Sequence, residues 1–197
     1  MIKNVIFDMG NVLLDYNPHY ALEKYVDDES DRQFLYKELF LGPEWEKADL
    51  GLIRDEDRYP LVALRVPKRL HPALQLLVEH WYECMVPLPG AQRFVQDCKE
   101  AGYRIFILSN ASDKFYEYFP NFCPLEAFDG YVVSCDVHAT KPRPRIYRYL
   151  LNRYSLNPSE CLFIDDLQRN VDGAKAFGME AIQFQNDFQP MRELLGL

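Results

Sequence analysis

The sequence predicts an α/β fold, a doubly wound parallel sheet with a helical insert after its first strand. Short apolar runs of strand length recur along the chain: VIF at 5–7, RIFIL at 104–108, GYVVS at 130–134, CLFI at 161–164 and EAIQF at 180–184. They are rich in β-branched or aromatic residues, the composition of buried strands. Longer stretches of helical period separate the later ones, and strand–helix–strand alternation implies parallel pairing through right-handed crossovers. The interval from about residue 16 to 87 reads as helical with no clear strand. It is too long for a crossover.

The first strand, within VIFDMGNVLLD, ends on Asp8 and turns through Gly10 and Asn11. The insert follows in four helical patterns, PHYALEKYV, DRQFLYKELFL, EDRYPLVALRV and HPALQLLVEHWYECMV, and VPLPGA at 86–91 punctuates the return. The chain therefore divides into a core of residues 1–15 and 88–197 and a helical unit of residues 16–87. An insertion after the first strand lands at the carboxyl edge of the sheet, where ligands bind in open α/β folds. Beyond the third strand, Pro142 and Pro144 suit a first helical turn, with Ile146, Leu150, Leu151 and Tyr154 on one stripe. Over 167–178, Val171, Ala174 and Phe177 face inward, and Gly178 stands just past the helix end.

Length and composition exclude several classes. The 197 residues fit one domain, or one carrying a smaller insert. A net charge of −8, with no basic cluster longer than KPRPR, argues against a nucleic-acid partner. No apolar run reaches the length of about 18 residues that a membrane span needs. Lys3 leads at once into a strand-like pattern, unlike a signal peptide. The cysteines, Cys84, Cys98, Cys123, Cys135 and Cys161, show no CxxC or His-paired spacing. Reduced, mostly buried thiols in a cytoplasmic protein are the simplest expectation.

Chemistry concentrates at the strand ends. The first strand ends in Asp8, the second in Ser109-Asn110 and the fourth in Asp165-Asp166, while Lys141 follows the third. Singly, each has a plainer reading. Asp8 is a turn acid, Ser109-Asn110 caps a helix starting near Asp113, and Lys141 is a solvated lysine. The Asp165-Asp166 pair caps the next helix, although adjacent acids repel unless a cation sits between them. The joint order of acid, hydroxyl, lysine and acid pair is the specific signal.

FDMGNVL, LSN at 108–110, Lys141-Pro142 and IDDLQRNVDGAKAFGM at 164–179 together resemble the haloacid dehalogenase-like (HAD) hydrolase superfamily along the whole chain. DMGNV and DDLQRN are similar to the subgroup of bacterial α-glucose-1-phosphate phosphatases and the N-terminal phosphatase domain of soluble epoxide hydrolases. The resemblance implies a Rossmann-like core with strand one central, a helical cap after that strand, and Mg²⁺-dependent hydrolysis of a phosphate monoester through an aspartyl-phosphate. Asp8 is then the nucleophile. Mg²⁺ is held by Asp8, the Gly10 carbonyl and Asp166, with Asp165 a direct or indirect partner. Ser109 and the Asn110 backbone hold the phosphoryl oxygens, Lys141 offsets charge, and Asn170 orients the acid pair. Arg143 and Arg145 are candidate aids to an anionic substrate or ordinary surface charges. The expected partner is a small phosphorylated metabolite, a sugar phosphate and possibly an anomeric 1-phosphate, acted on by a monomer or homodimer.

Most such phosphatases read DxD, the second acid protonating the leaving oxygen; here that position is Gly10. General acid assistance is typically worth about 10²–10⁴-fold. Three readings follow: a leaving group that needs less protonation, a proton from elsewhere (Asp15, His19, His138 or water), or a feeble or non-catalytic domain. A dehalogenase also lacks the acid, but its branch normally carries a neutral fourth motif where this chain has Asp165-Asp166. A phosphosugar mutase is the other chemical rival. Trp45, on a glycine-bounded polar segment unlike core-facing Trp81, is either a wall stacking on a sugar face or cap packing. Tyr16, just past the first motif, carries the same pair of readings.

Overall fold

The structure, a computed structural model, describes residues 1–197, the side chain of Cys84 excepted. Elements run β1 (Asn4–Phe7), β2 (Leu14–Asp15), α1 (Pro18–Tyr25), α2 (Glu29–Leu35), α3 (Pro43–Asp49), α4 (Arg58–Ala63), α5 (His71–His80), β3 (Val86–Pro87), α6 (Ala91–Glu100) and β4 (Arg104–Ser109). There follow α7 (Phe115–Tyr118), β5 (Gly130–Val133), α8 (Ser134–Val137), α9 (Pro144–Arg153), β6 (Cys161–Asp165), α10 (Gln168–Lys175), β7 (Glu180–Gln183) and α11 (Gln189–Leu195). A π-helical turn, Tyr36–Phe40, continues α2.

Five strands form one parallel sheet in the order β5-β4-β1-β6-β7, with β1 central. This is the expected doubly wound α/β arrangement. Strand β1 is buried throughout, and its side chains alternate between two cores. Val5 and Phe7 join one, with Ile105, Ile107, Leu162 and Ile164, under α6, α7 and α11. Ile6 joins the other, with Phe106, Leu108 and Phe163, under α9 and α10. The first core runs on without a break into residues of the 16–87 segment, including Leu22, Leu35, Leu74 and Leu77.

That segment is helical, and a two-residue antiparallel ladder brackets it: Leu14 pairs with Pro87 and Asp15 with Val86. Strands this short carry no readable period. Other boundaries shift slightly. Ser134 opens α8 rather than closing the third strand, and α7 starts at Phe115, beyond Asp113. Lys141 therefore does not sit at a strand end; α8 and a loop separate it from β5. Cys98, Cys135 and Cys161 are buried free thiols, Cys123 is half-buried and free, and Cys84 falls outside the described side chains. Among the described residues, no helix is long and apolar enough to cross a membrane.

Candidate active site

Register brings the acids together. Phe7 is level with both Ile107 and Ile164, so Asp8, one step on, stands beside Asp165; its N–H donates to the Ile164 carbonyl (2.8 Å). Lys141 Nζ reaches both carboxylates, 2.7 Å from Asp8 Oδ1 and 2.7 Å from Asp165 Oδ2. The lysine is held through its backbone. Asn110 Nδ2 donates to the Lys141 carbonyl (3.1 Å), and the Lys141 N–H donates to Asn110 Oδ1 (2.8 Å). Asn110 thus acts with its side chain, a role its place beside Ser109 does not reveal.

Asp165 is fully buried and its oxygens are taken. Besides Lys141, it accepts from Asn170 Nδ2 at 2.9 and 3.1 Å and from the Leu167 N–H at 2.9 Å. Asn170 therefore orients the acid that orients the lysine. Asp166 is freer, receiving one long bond from Asn11 Nδ2 (3.3 Å), while Asn11 Oδ1 accepts from the Tyr16 N–H (2.9 Å). Asn11 has a left-handed backbone (φ 56°), which Asn tolerates better than most residues. It is a site residue that sequence reasoning missed, although the Gly10-Asn11 turn signalled an unusual backbone.

Charge is unbalanced here. Oxygens of Asp8, Asp165 and Asp166 lie within 4.8 Å of one another. Among the described residues, the only ammonium ion-paired to any of them is that of Lys141. Burial, with the charges of Asp165 and Asp166, outweighs the opposing pull of Lys141 and leaves the Asp8 carboxyl pushed up to about 8. Burial raises Asp166 too, with Asp165 adding to it. Burial opposes the Lys141 charge, but Asp165 and Asp8 overcome it and raise its pKa. A set of hard oxygen donors with excess negative charge fits Mg²⁺. Asp8 Oδ1 is occupied by Lys141 and the Met9 N–H (2.7 Å), which leaves Oδ2 for a ligand.

A cavity of about 260 Å³ opens in front of this cluster, lined by Asp8, Gly10, Asn11, Asn110, Lys141, Asp166 and Asn170 from the core. The opposite wall is aromatic: Tyr16, Trp45, Trp81 and Tyr118. Trp45 packs at 4.9 Å from Phe40 and 5.1 Å from Trp81, so it is both wall and packing. Trp81 is buried but also faces the cavity, correcting the expectation that it serves the core alone. Beneath Trp45 the fully buried Arg58 guanidinium stacks at 3.8 Å and pairs with Asp55 at 2.7 Å.

Other expected residues fall elsewhere. Ser109 is buried with its hydroxyl unpartnered among the described residues, one residue behind the lining formed by Asn110, Ala111 and Ser112. Arg143 reaches Glu46 (3.3 Å) across the surface and Arg145 is exposed; the arginine that lines the cavity is Arg169. None of the candidate proton donors lines it. Asp15 is in the β2–β3 ladder, His19 stacks on Tyr36 at 4.7 Å, and His138 Nδ1 bonds the Leu50 carbonyl at 2.8 Å. Besides Asp8 and Asp166, the acid that lines it is Asp49, at the end of α3.

A family model for haloacid dehalogenase-like hydrolases matches residues 2–178. D-ribitol-5-phosphate phosphatase of Bacteroides thetaiotaomicron is 26% identical over 210 residues, covering 98% of the chain and 97% of that enzyme. (S)-2-haloacid dehalogenase 4A of Burkholderia cepacia is 28% identical over 110 residues, 55% of the chain, and the match spans about half of that enzyme, 48%. A HAD-family enzyme of Bacteroides thetaiotaomicron, solved with magnesium and inorganic phosphate, superposes with a TM-score of 0.75 at 20% identity, covering 97% of this chain and 99% of that one.

Proposed function

The chain belongs to the haloacid dehalogenase-like hydrolase family, and we propose that it is a Mg²⁺-dependent phosphatase of a small phosphate monoester, such as a sugar or polyol phosphate. The observation that carries this reading is the charge imbalance: three clustered carboxylates share the ammonium of Lys141. A site with that excess favours a divalent cation and, through it, a phosphoryl group. Asp8 and Asp166, with the Gly10 carbonyl, would hold Mg²⁺, and Asp165 would act through Lys141 and Asn170. Bound there, Mg²⁺ supplies the positive charge that lets a phosphate dianion approach a carboxylate.

The chain's own residues do the rest. Asp8 attacks phosphorus in line, the ester P–O bond breaks, and water hydrolyses the aspartyl-phosphate. Lys141 offsets charge on Asp8 and on the transferring group. The Ser109 hydroxyl, buried and without a hydrogen-bond partner among the described residues, and the Asn110 backbone are the groups to hold phosphoryl oxygens. Residues 16–87 act as a cap over the core of residues 1–15 and 88–197, and Trp45 offers a ring face to the substrate. A cavity of about 260 Å³ lies below the roughly 300–1,000 Å³ of pockets for drug-sized ligands, which favours a small ester. The Bacteroides phosphatase acts on a small ester of this kind, a polyol phosphate.

Dehalogenation is the second reading, favoured by the Burkholderia relative and by Gly10, since a halide leaves without a proton. A panel of phosphate esters and 2-haloacids, with and without Mg²⁺, tests both. Free phosphate released only with Mg²⁺ supports the phosphatase. Halide released without metal supports the dehalogenase, and isomerised sugar phosphate with no free phosphate indicates a mutase.

A further inference from the structure

Position 10 has room for a Cβ. Gly10 is not among the glycines with left-handed backbone, and a Cβ built there would lie 3.7 Å from Tyr16 Cβ, an ordinary contact. The backbone here accepts a Cβ without strain, and the sequence omits one. With no carboxyl there, a proton for a poor leaving group has to come from another wall of the cavity or from water.

The acids lining that cavity are Asp8, Asp166 and Asp49. Asp8 is tied to Lys141, and Asp166 to Asn11. The Asp49 carboxyl makes no hydrogen bond or ion pair among the described residues, yet its backbone is firmly fixed. Ser134 Oγ donates to the Asp49 carbonyl (2.5 Å), and His138 Nδ1 meets the Leu50 carbonyl (2.8 Å). Gly51, at φ +66°, lies so close to α8 that a Cβ would sit 2.1 Å from the Cys135 carbonyl oxygen. Three consecutive residues thus pin the end of α3 to the core that carries Asp8.

We propose that Asp49 is the general acid of the reaction, protonating the leaving oxygen in place of the carboxyl absent at Gly10. The proposal rests on the phosphatase reading. As the P–O bond breaks, its electron pair stays on the leaving oxygen, which takes the Asp49 proton and departs as the alcohol. The Asp49 carboxylate then accepts a proton from the water that attacks the aspartyl-phosphate, which restores the acid. Enclosure, with Asp55 and Glu46 adding to it, outweighs the opposing Arg58 charge and leaves Asp49 pushed up to about 7. An acid with that pKa is matched to donation near neutral pH. The neighbouring phenols, Tyr16 and Tyr118, are raised above the ordinary tyrosine value by burial and by Asp49, which makes them poor donors.

The test compares two esters with Mg²⁺ present: p-nitrophenyl phosphate, whose leaving group needs no proton, and glycerol phosphate, whose alkoxide does. Asp49→Asn should raise the ratio of nitrophenyl to glycerol turnover by about 10²-fold or more, and Asp49→Ser should do the same. Adding Gly10→Asp to Asp49→Asn should bring the ratio back toward that of the unaltered protein. A ratio unchanged in both single variants overturns the proposal, whether turnover falls on both esters or on neither. If the unaltered protein releases phosphate from neither ester, the phosphatase reading itself falls and takes the proposal with it.

Discussion

Lys141 Nζ lies 2.7 Å from Asp8 Oδ1, with the lysine fully enclosed and the carboxylate largely so. The same ammonium is 2.7 Å from Asp165 Oδ2, so one cation supports two carboxylates from adjacent strands. Lys141→Met keeps the length and removes the charge. Leaving buried charges without their partner costs about 3–5 kcal/mol, and turnover should fall to background. Protonating the stranded acids relieves the loss. The stability gap from the unaltered protein, measured by urea unfolding, should therefore narrow from pH 8 to pH 4.

Mg²⁺ binding is readable without turnover. A ligand at 100 times its Kd adds about 2.7 kcal/mol to stability, or roughly 5–10 °C in Tm for a chain of this size. Asp166→Ala should abolish that shift together with activity, and chelation should lower the Tm of the unaltered protein back to its metal-free value. Asp8→Asn should leave no turnover. Near-normal rates in either variant would refute the assignment.

Arg58 is buried completely and held by Asp55, which also accepts from Ser112 Oγ and, at 3.4 Å, from Trp81 Nε1. Arg58→Met strands the Asp55 charge and should cost about 3–5 kcal/mol. The same change removes the cation stacked under Trp45, so KM for a sugar or polyol phosphate should rise.

Gly51→Ala tests the attachment of α3. The left-handed backbone and the 2.1 Å approach to the Cys135 carbonyl leave no room for a methyl group. A strained non-glycine residue costs of order 1–3 kcal/mol. A lower Tm is expected, together with a loss of turnover that Gly102→Ala, left-handed as well (φ +87°) but with nothing within 4 Å of a Cβ, does not share.

The central strand and its acid were legible because β1 is buried on both faces. An apolar run of that kind seldom stops on a carboxylate such as Asp8 unless the charge has a use. Asp165 was legible for the same reason on β6. Lys141 was found through the company it keeps, but its anchoring by Asn110, 31 residues away, is a tertiary contact that no local pattern encodes. Trp81 lies in a helical period that reads as core, and only the folded arrangement turns the same ring toward a cavity. Asp49 reads as an ordinary polar residue at a helix end. Its meaning comes from α8 and the aromatic wall, which are distant in sequence.

Asp49 also carries a stability signature with a definite sign. Its folded pKa of about 7 stands above the ordinary 3.8 because the carboxyl is enclosed. Between about pH 4 and 7 the folded protein therefore holds a proton that the unfolded chain has released. Stability must fall as pH rises through that window, with the full cost present above pH 7 and none below pH 4. Asp49→Asn replaces the acid with a neutral amide that has nothing to release. At pH 4 the variant and the unaltered protein should unfold at the same urea concentration. At pH 8 the variant should be the more stable, by on the order of 1 kcal/mol for a half-buried group. A difference that does not change between pH 4 and pH 8 would show that the Asp49 carboxyl titrates normally, with its charge well solvated in the folded protein.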